Sequence, residues 1–226
     1  MRARRLKEPR GSTPVEEVPF GANIGATDLR FRTLIGEAAW TQLPPQVQQR
    51  FSKFVGPSTL VVYRGEVLKT ELSWLGLILA LLARAIGGPL PLTNGATGEA
   101  RVEVGGDRQG GQIWTRIYSR PGLPPQIVRS SKRFRGPTGL EEYVGGGIGM
   151  ALSLSVEDGA LVFRSEHYFL EAGSLRLRIP RLLSPGRMEI VHRDEAPDRF
   201  SFRLTLTHPV FGRLLHQLAL FRDPRP

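Results

Sequence analysis

Residues 198–208, with the sequence DRFSFRLTLTH, alternate polar and apolar side chains from Arg199 onward. Phe200, Phe202, Leu204 and Leu206 fall on one face, and Ser, Arg and Thr side chains fall on the other. A period of two places successive side chains on opposite faces of an extended chain, which predicts a strand with one buried face. This stretch therefore predicts a β-sheet that is apolar along one side.

The same alternation recurs through the second half of the chain. Residues 151–156 and 175–179 repeat it, and clusters of Gly, Pro and Asp lie between such runs. Short strands separated by turn residues are typical of an antiparallel meander. We count about eight strands, and a twisted sheet of that size tends to curl. The pattern predicts a curved antiparallel sheet or barrel, calycin-like or helix-grip-like, whose apolar interior would suit a small ligand.

Helical spacing precedes these strands. Apolar residues between 28 and 54 recur at intervals of three and four, with a break at Leu43-Pro44-Pro45, and predict two short helices. Residues 74–86 are the most apolar run, and we interpret them as a buried helix because spanning a bilayer takes about 20 residues. Residues 1–27 lack periodicity and predict a flexible basic tail. The fold class is α+β, with a single domain over residues 28–226.

Composition removes several function classes. The chain has no cysteine, which excludes disulfides, thiolate catalysis and Cys-ligated metals. Its four histidines lack the spacing of a metal site, and the glycine run at 145–149 lacks a dinucleotide fingerprint, so we expect neither metal nor cofactor. The basic start is not followed by the apolar run of a secretory signal, which predicts a cytoplasmic protein. Missing catalytic motifs disfavour an enzyme without excluding one.

The candidate site residues come from the predicted sheet. Trp114 and Arg116 lie two apart on one strand face, where they could clamp an anionic or planar ligand. Glu142, on a neighbouring strand, could hold Arg116, either for a ligand or as a purely structural ion pair. We expect Phe200 and Phe202 to line the ligand-binding interior. His208, at the end of the best strand, and Glu142 are the candidates for acid–base catalysis.

The charge of the chain is unusual. The formal net charge is +10, and 27 of the 31 basic residues are arginines. They concentrate at 101–135 and 176–187, where they form either a solvated outer face or a positive surface for a polyanion, an anionic lipid or an acidic headgroup. These stretches do not show the aromatic stacking platforms that are typical of RNA-binding modules, so nucleic acid is not the favoured partner.

An ordered set of short motifs resembles a bacterial family of uncharacterised domains that occur alone or fused behind saccharopine-dehydrogenase-like reductases. The motifs are Phe31-Arg32-Thr33-Leu34-Ile35-Gly36 with Leu43-Pro44-Pro45, Trp114-Thr115-Arg116, Glu142 with Gly145, Ile179-Pro180-Arg181-Leu182-Leu183-Ser184-Pro185, and Phe202 through Gly212. The resemblance implies a stand-alone bacterial domain, with a reductase as a possible partner. It implies no catalytic residue.

The leading functional hypothesis is a protein that binds a small hydrophobic or amphipathic ligand with an anionic end inside a sheet-enclosed cavity. One alternative is an isomerase or cyclase that uses acid–base chemistry in the same cavity. The other is an arginine-mediated module for nucleic acids or anionic surfaces, which strong salt dependence of binding would reveal.

Overall fold

The computed structural model describes residues 16–17, 27–96 and 98–224. The helices are α1 Arg30–Ile35, α2 Glu37–Trp40, α3 Pro45–Phe51 and α4 Trp74–Leu82, which continues as a 3-10 helix, Ala83–Ile86. The strands are β1 Glu16–Glu17, β2 Thr59–Leu72, β3 Gly98–Gly106, β4 Gln112–Arg120, β5 Leu123–Arg133, β6 Glu141–Gly145, β7 Ile148–Glu157, β8 Ala160–Ala172, β9 Leu175–Arg178, β10 Arg187–Ala196, β11 Arg199–His208 and β12 Gly212–Arg222.

Ten antiparallel strands of the described residues close into a barrel. Their order is β2-β12-β11-β10-β8-β7-β6-β5-β4-β3, and pairing between β2 and β3 completes the ring. β1 adds to β2 in parallel, and β9 pairs with β8 outside this ring. The expected curved antiparallel sheet is therefore present, but the predicted number of about eight strands was wrong. Closure removes the free edges that an open sheet would expose.

Alternation along β11 follows the sequence prediction. Phe202, Leu204 and Leu206 point into the barrel, and Leu206 pairs in register with Leu215 of β12. Because a closed barrel has a single inside, every strand with this alternation contributes to one apolar interior.

Three helices, rather than the two predicted, cover the end of the barrel where β2 begins, which we call the lower end. The interruption between α1 and α2 is Gly36, and α3 starts at Pro45. Phe31 and Phe51 meet edge to face at 5.2 Å and pack against Phe163 of β8. Arg50 of α3 donates to Asp223 at 2.7 Å and so ties α3 to the end of β12. An aromatic core therefore closes the lower end.

The opposite, upper end is crossed by α4, which the sequence predicted to be a buried helix. The helix is present, but only Gly76 and Ala80 are buried in it, and Trp74 is 72% exposed. It is apolar on most of its surface because it lies across the mouth of the barrel, with one side over the interior and the other toward solvent. Composition alone does not distinguish such a lid from a core helix.

Among the described residues, none of the helices is long and apolar enough to cross a bilayer. The predicted flexible tail, residues 1–27, lies outside the described residues apart from 16–17 and 27.

Candidate functional site

The barrel encloses a cavity of about 370 Å³. Phe51 forms part of its floor, and α4 with the 3-10 helix forms part of its roof. The walls are mostly aliphatic and aromatic side chains of the strands, among them Val102, Val128, Val144, Met150, Phe163, Met188, Ile190, Phe202, Leu204, Leu206, Leu215, Ala219 and Phe221. The strand alternation that begins at β11 thus produces a hollow interior, not a filled one.

One wall of this cavity carries a buried charged cluster, which we call the Arg116 cluster, made of Arg116, Ser130, Lys132 and Glu142. The Glu142 carboxylate accepts from Ser130 Oγ at 2.6 Å and from Lys132 Nζ at 2.9 Å, and Arg116 Nη2 lies 3.4 Å from it. Arg116 Nη1 also donates to Ser130 Oγ at 3.1 Å. Two cations face one anion, so the cluster has an excess positive charge of one.

Three consecutive strands of the ring supply the cluster. Arg116 is on β4, Ser130 and Lys132 are on β5, and Glu142 is on β6. Register places Lys132 directly beside Glu142, whereas Arg116 reaches Glu142 across β5. Glu142 therefore lies two strands away from Arg116, whereas the sequence predicted that the two residues are on neighbouring strands.

The electrostatics of the cluster keep Glu142 ionised. Burial alone would raise its pKa, but the Lys132 and Arg116 charges and the hydrogen bonds from Ser130 and Lys132 outweigh burial and hold the pKa at about 2. Burial lowers the pKa of Lys132, and the Glu142 charge opposes that effect. A carboxylate in this state is an ion-pair partner and a weak base at neutral pH.

The depressed pKa of Glu142 gives a pH-dependent contribution to stability. Because its pKa is about 2 in the folded protein and near 4.5 for an ordinary glutamate, the contribution is present above about pH 5 and is lost as the pH falls toward 2. Its size is about 3 kcal/mol. We expect the stability difference between the native protein and Glu142→Gln to shrink by about this amount over that window. Urea titrations at stepped pH measure it, and a difference that stays constant with pH would contradict the assignment.

Trp114 and Arg116 share the interior face of β4, as their spacing predicts. Lys132 Nζ lies 4.6 Å from the centre of the Trp114 ring, and Trp114 Nε1 donates to Gln112 at 3.2 Å. Trp114, Arg116, Glu142 and Phe202 all line the cavity. The structure therefore brings four of the six sequence-predicted site residues together.

Phe200 and His208 lie elsewhere. Phe200 lines a separate void of about 30 Å³ beside Arg50 and His192. His208 sits at the upper end, where its Nδ1 accepts from the backbone N–H of Val210 at 3.2 Å. The imidazole thus braces the turn between β11 and β12, and it is not part of the cavity lining.

Sequence reasoning missed Lys132 and Ser130 as site residues. Lys132 was counted only as one of many basic residues, because a lysine is expected at the surface. The available signal was the alternation Val128, Ser130, Lys132 on β5, which places all three on one face. Tyr118, Tyr168 and Gln217 also line the cavity and add neutral polar groups, and burial raises the pKa of Tyr168 to about 12.

The arginines of 101–135 do not share one surface. Arg116 faces the cavity, while Arg101 pairs with Glu103 at 2.7 Å and Arg135 pairs with Glu171 at 2.6 Å. Arg176, from the second arginine-rich stretch, pairs with Glu141 and Glu171. Much of the positive charge is thus neutralised locally or directed inward.

The roof consists of α4 and the 3-10 helix, residues 74–86, which we call the strap. It is held at both ends. The backbone N–H of Ser73 donates to Leu214 O of β12 at 3.0 Å, and a Cβ on Gly76 would lie 2.0 Å from the same oxygen, so the start of α4 rests directly on β12. At the other end Ile86 meets Gly145, the last residue of β6 before the turn to β7. Since β12 and β6 lie on opposite sides of the ring, the strap crosses the mouth.

No group of three or more His, Asp or Glu residues in the described part of the chain is placed to hold a metal ion.

Comparison with known proteins gives a family assignment without an activity. A family model described as "Domain of unknown function (DUF4166)" matches residues 43–221, which include the barrel strands β2 to β8 and β10, β11 and nearly all of β12. The searches of curated proteins and of solved structures give no match.

Proposed function

The chain belongs to the DUF4166 family, and since that family supplies no activity, we propose from the cavity itself that the protein binds a small amphipathic molecule. The apolar body of the ligand lies within the barrel, and its anionic group meets the guanidinium of Arg116. The observation that carries this proposal is the excess positive charge of the Arg116 cluster on the wall of an otherwise apolar cavity.

The accessible hydrogen-bonding capacity of the cluster belongs to Arg116. Among the described residues, its guanidinium donates to Ser130 and Glu142, which uses two of its five N–H donors. Its side chain is 20% exposed, whereas those of Lys132 and Glu142 are each 4% exposed. Lys132 also has donors left, but it is buried against Glu142, so Arg116 is the accessible member with donors for a carboxylate, sulfonate or phosphate.

Cavity size and lining set the class of ligand. A volume of about 370 Å³ lies within the range of small-molecule sites, about 300–1,000 Å³. Burial of hydrocarbon against its apolar walls contributes about 0.8 kcal/mol of favourable binding free energy per methylene. An anionic molecule with a short aliphatic or aromatic body satisfies both the walls and the Arg116 cluster.

The acid–base alternative lacks a suitable proton acceptor at the candidates named for it. Glu142 has a pKa of about 2, and a general base works best with a pKa near the working pH. His208 is engaged by the β11–β12 turn. Binding without turnover is therefore the function that we propose.

The test compares two probes with the same chain, dodecanoate and dodecanol. We expect the native protein to prefer dodecanoate, and Arg116→Met to weaken dodecanoate binding by about 10- to 100-fold, because a hydrogen bond to a charged group contributes about 1.5–3 kcal/mol. Dodecanol binding should change by less than about threefold, since an alcohol places no charge on the guanidinium. Isothermal titration calorimetry measures both.

Arg129→Met is the matched control. Arg129 is exposed on the outer face of β5, so its replacement removes the same charge from the molecule without touching the cavity. Failure of the native protein to bind either probe would overturn the proposal. Equal losses in Arg116→Met and Arg129→Met would show a general charge effect and overturn the assignment to Arg116.

The resemblance to domains fused with saccharopine-dehydrogenase-like reductases adds a reductase as a proposed partner and the bacterial cytoplasm as the proposed location. Both stay predictions.

A further inference from the structure

We propose that the upper end of the barrel docks onto an anionic lipid bilayer and that the cavity exchanges its ligand with that bilayer. The inference rests on the proposed ligand binding and adds the source of the ligand. We call the docking surface the mouth face and define it by Trp74, Leu81 and Leu82 of the strap, Leu182 and Leu183 of the β9–β10 connection, and Phe211 of the β11–β12 turn.

The mouth face is apolar and continuous with the cavity. Leu82 and Leu183 both line the cavity, yet they are 69% and 78% exposed. The same two side chains thus form the cavity wall and the outer surface, and they mark an opening between the strap and the β9–β10 connection. An apolar ligand that passes this opening meets leucine on both sides.

The parts of the mouth face are held together at one end of the barrel. His208 Nε2 lies 3.4 Å from Leu182 O, and the His208 ring stacks on Phe211 at 4.7 Å. His208 therefore joins the β9–β10 connection to the β11–β12 turn. Its place in the fold is to support the mouth face.

Charge distinguishes a bilayer from other apolar partners. The upper-end segments 73–96 and 173–188 contain five arginines and no aspartate or glutamate, although Arg176 is paired with Glu141 and Glu171. Glu71, which lies just before the first segment, is paired with Lys69 and Arg213. Arg84, Arg178 and Arg181 are exposed, and within the described residues none of the three forms a salt bridge. Exposed leucines bordered by unpaired arginines, with a tryptophan at the edge, match the layered chemistry of an anionic membrane surface.

The depth of insertion is limited. α4 has nine residues, which make a helix of about 14 Å, and it lies across the barrel mouth, not along the barrel axis. A helix in this position lies in the headgroup region with its apolar side toward the acyl chains. Docking in this orientation places the opening beside Leu82 and Leu183 against the hydrocarbon.

Vesicle binding tests the proposal. Vesicles of phosphatidylcholine, with and without phosphatidylserine, are titrated into the full chain, and binding is followed by co-sedimentation and by the emission of Trp74. We expect binding that requires phosphatidylserine, weakens with added NaCl, and shifts the Trp74 emission to the blue. Trp74→Phe should abolish the shift, since Trp40 is buried and Trp114 lies in the cavity.

Two variants separate the apolar and charged parts of the mouth face. Leu81→Ser with Leu182→Ser removes two exposed leucines that do not line the cavity, and should weaken vesicle binding by at least about tenfold. Arg84→Gln with Arg181→Gln should weaken it by about fivefold for each arginine. Leu29→Ser with Phe54→Ser changes two exposed apolar residues near the lower end and should leave binding unchanged.

Three outcomes would overturn the docking proposal. They are no vesicle binding by the native protein, equal losses in the upper-end and lower-end variants, or a native dimer that Leu81→Ser with Leu182→Ser dissociates in the absence of vesicle binding. Dodecanoate binding measured in parallel distinguishes the two proposals. A protein that binds dodecanoate but no vesicle refutes docking and leaves the proposed function standing.

Discussion

Replacing Glu142 by leucine is expected to lower the free energy of unfolding by about 3–5 kcal/mol, because it leaves Lys132 buried beside Arg116 without its anion. The Lys132 and Glu142 side chains are each 4% exposed, so water cannot replace the lost carboxylate. Ser130 Oγ also loses the oxygen to which it donates at 2.6 Å. Urea denaturation at neutral pH, with the denaturant slope compared between proteins, measures the loss.

The second arm of this test is the double variant Glu142→Leu with Lys132→Met. Since well-packed apolar residues can replace a buried ion pair at little cost, we expect the double variant to recover most of the stability that Glu142→Leu loses. The native protein, Glu142→Leu, Lys132→Met and the double variant form a double-mutant cycle. The coupling energy from these four proteins measures the interaction between Lys132 and Glu142. A double variant as unstable as the sum of the two single variants would show that the side chains act independently.

The same four proteins distinguish the two roles of the cluster that the sequence left open. A purely structural cluster predicts coupling in stability alone. The proposed ligand site predicts in addition that dodecanoate binding survives in the double variant, because the Arg116 guanidinium is then freed from Glu142.

The period-two pattern predicted which residues face the interior, and it did so at Trp114, Arg116 and Phe202 because side-chain direction in a strand is a local property. It did not predict the number of strands. For example, Arg64-Gly65-Glu66 would suit a turn on local sequence alone, but β2 continues through it for 14 residues. Whether a glycine lies in a turn or inside a strand depends on the partner strand, which local sequence does not specify.

The charged cluster shows a second limit of local reasoning. Lys132 is buried because Glu142 of the next strand in the ring neutralises it. The pairing of β5 with β6 belongs to the tertiary structure and cannot be predicted from local sequence. Phe200 has the same alternation as Phe202 but lies lower in the barrel, next to Arg50 and His192. Sequence periodicity thus predicts the face of a strand, whereas depth along the barrel and charge partners follow from closure.

The position of the strap across the barrel mouth could not be predicted from hydropathy either. Residues 74–86 satisfy every requirement of a core helix, and their exposure follows from where the strap is anchored. Its two ends rest on β12 and on the β6–β7 turn, at opposite sides of the ring. The glycine run at 145–149 therefore has a structural use: Gly145 and Gly146 allow the close approach of the strap, and Gly147 and Gly149 allow the close approach of β8.

Gly145→Ala is expected to release this strap and to cost about 2–6 kcal/mol locally. Gly145 has a φ of +115°, which an L side chain rarely adopts, and an added Cβ would lie 1.9 Å from Ile86 O. Backbone strain contributes about 1–3 kcal/mol. The forced separation from Ile86 contributes about as much again. Because the contact holds the far end of the roof, we expect faster amide exchange across α4 and a dissociation rate for dodecanoate at least about tenfold higher.

Gly87→Ala provides the matched control for that result. Gly87 has a similar φ of +109°, but its added Cβ would meet Val144 O at 3.6 Å, which is an ordinary contact. The two variants share the backbone strain and differ in the collision with the strap, so the excess effect of Gly145→Ala isolates the anchoring contact. Unchanged amide exchange in the barrel strands would show that only the roof has moved. Equal dissociation rates in the two variants would mean that the contact between Gly145 and Ile86 does not control ligand exchange.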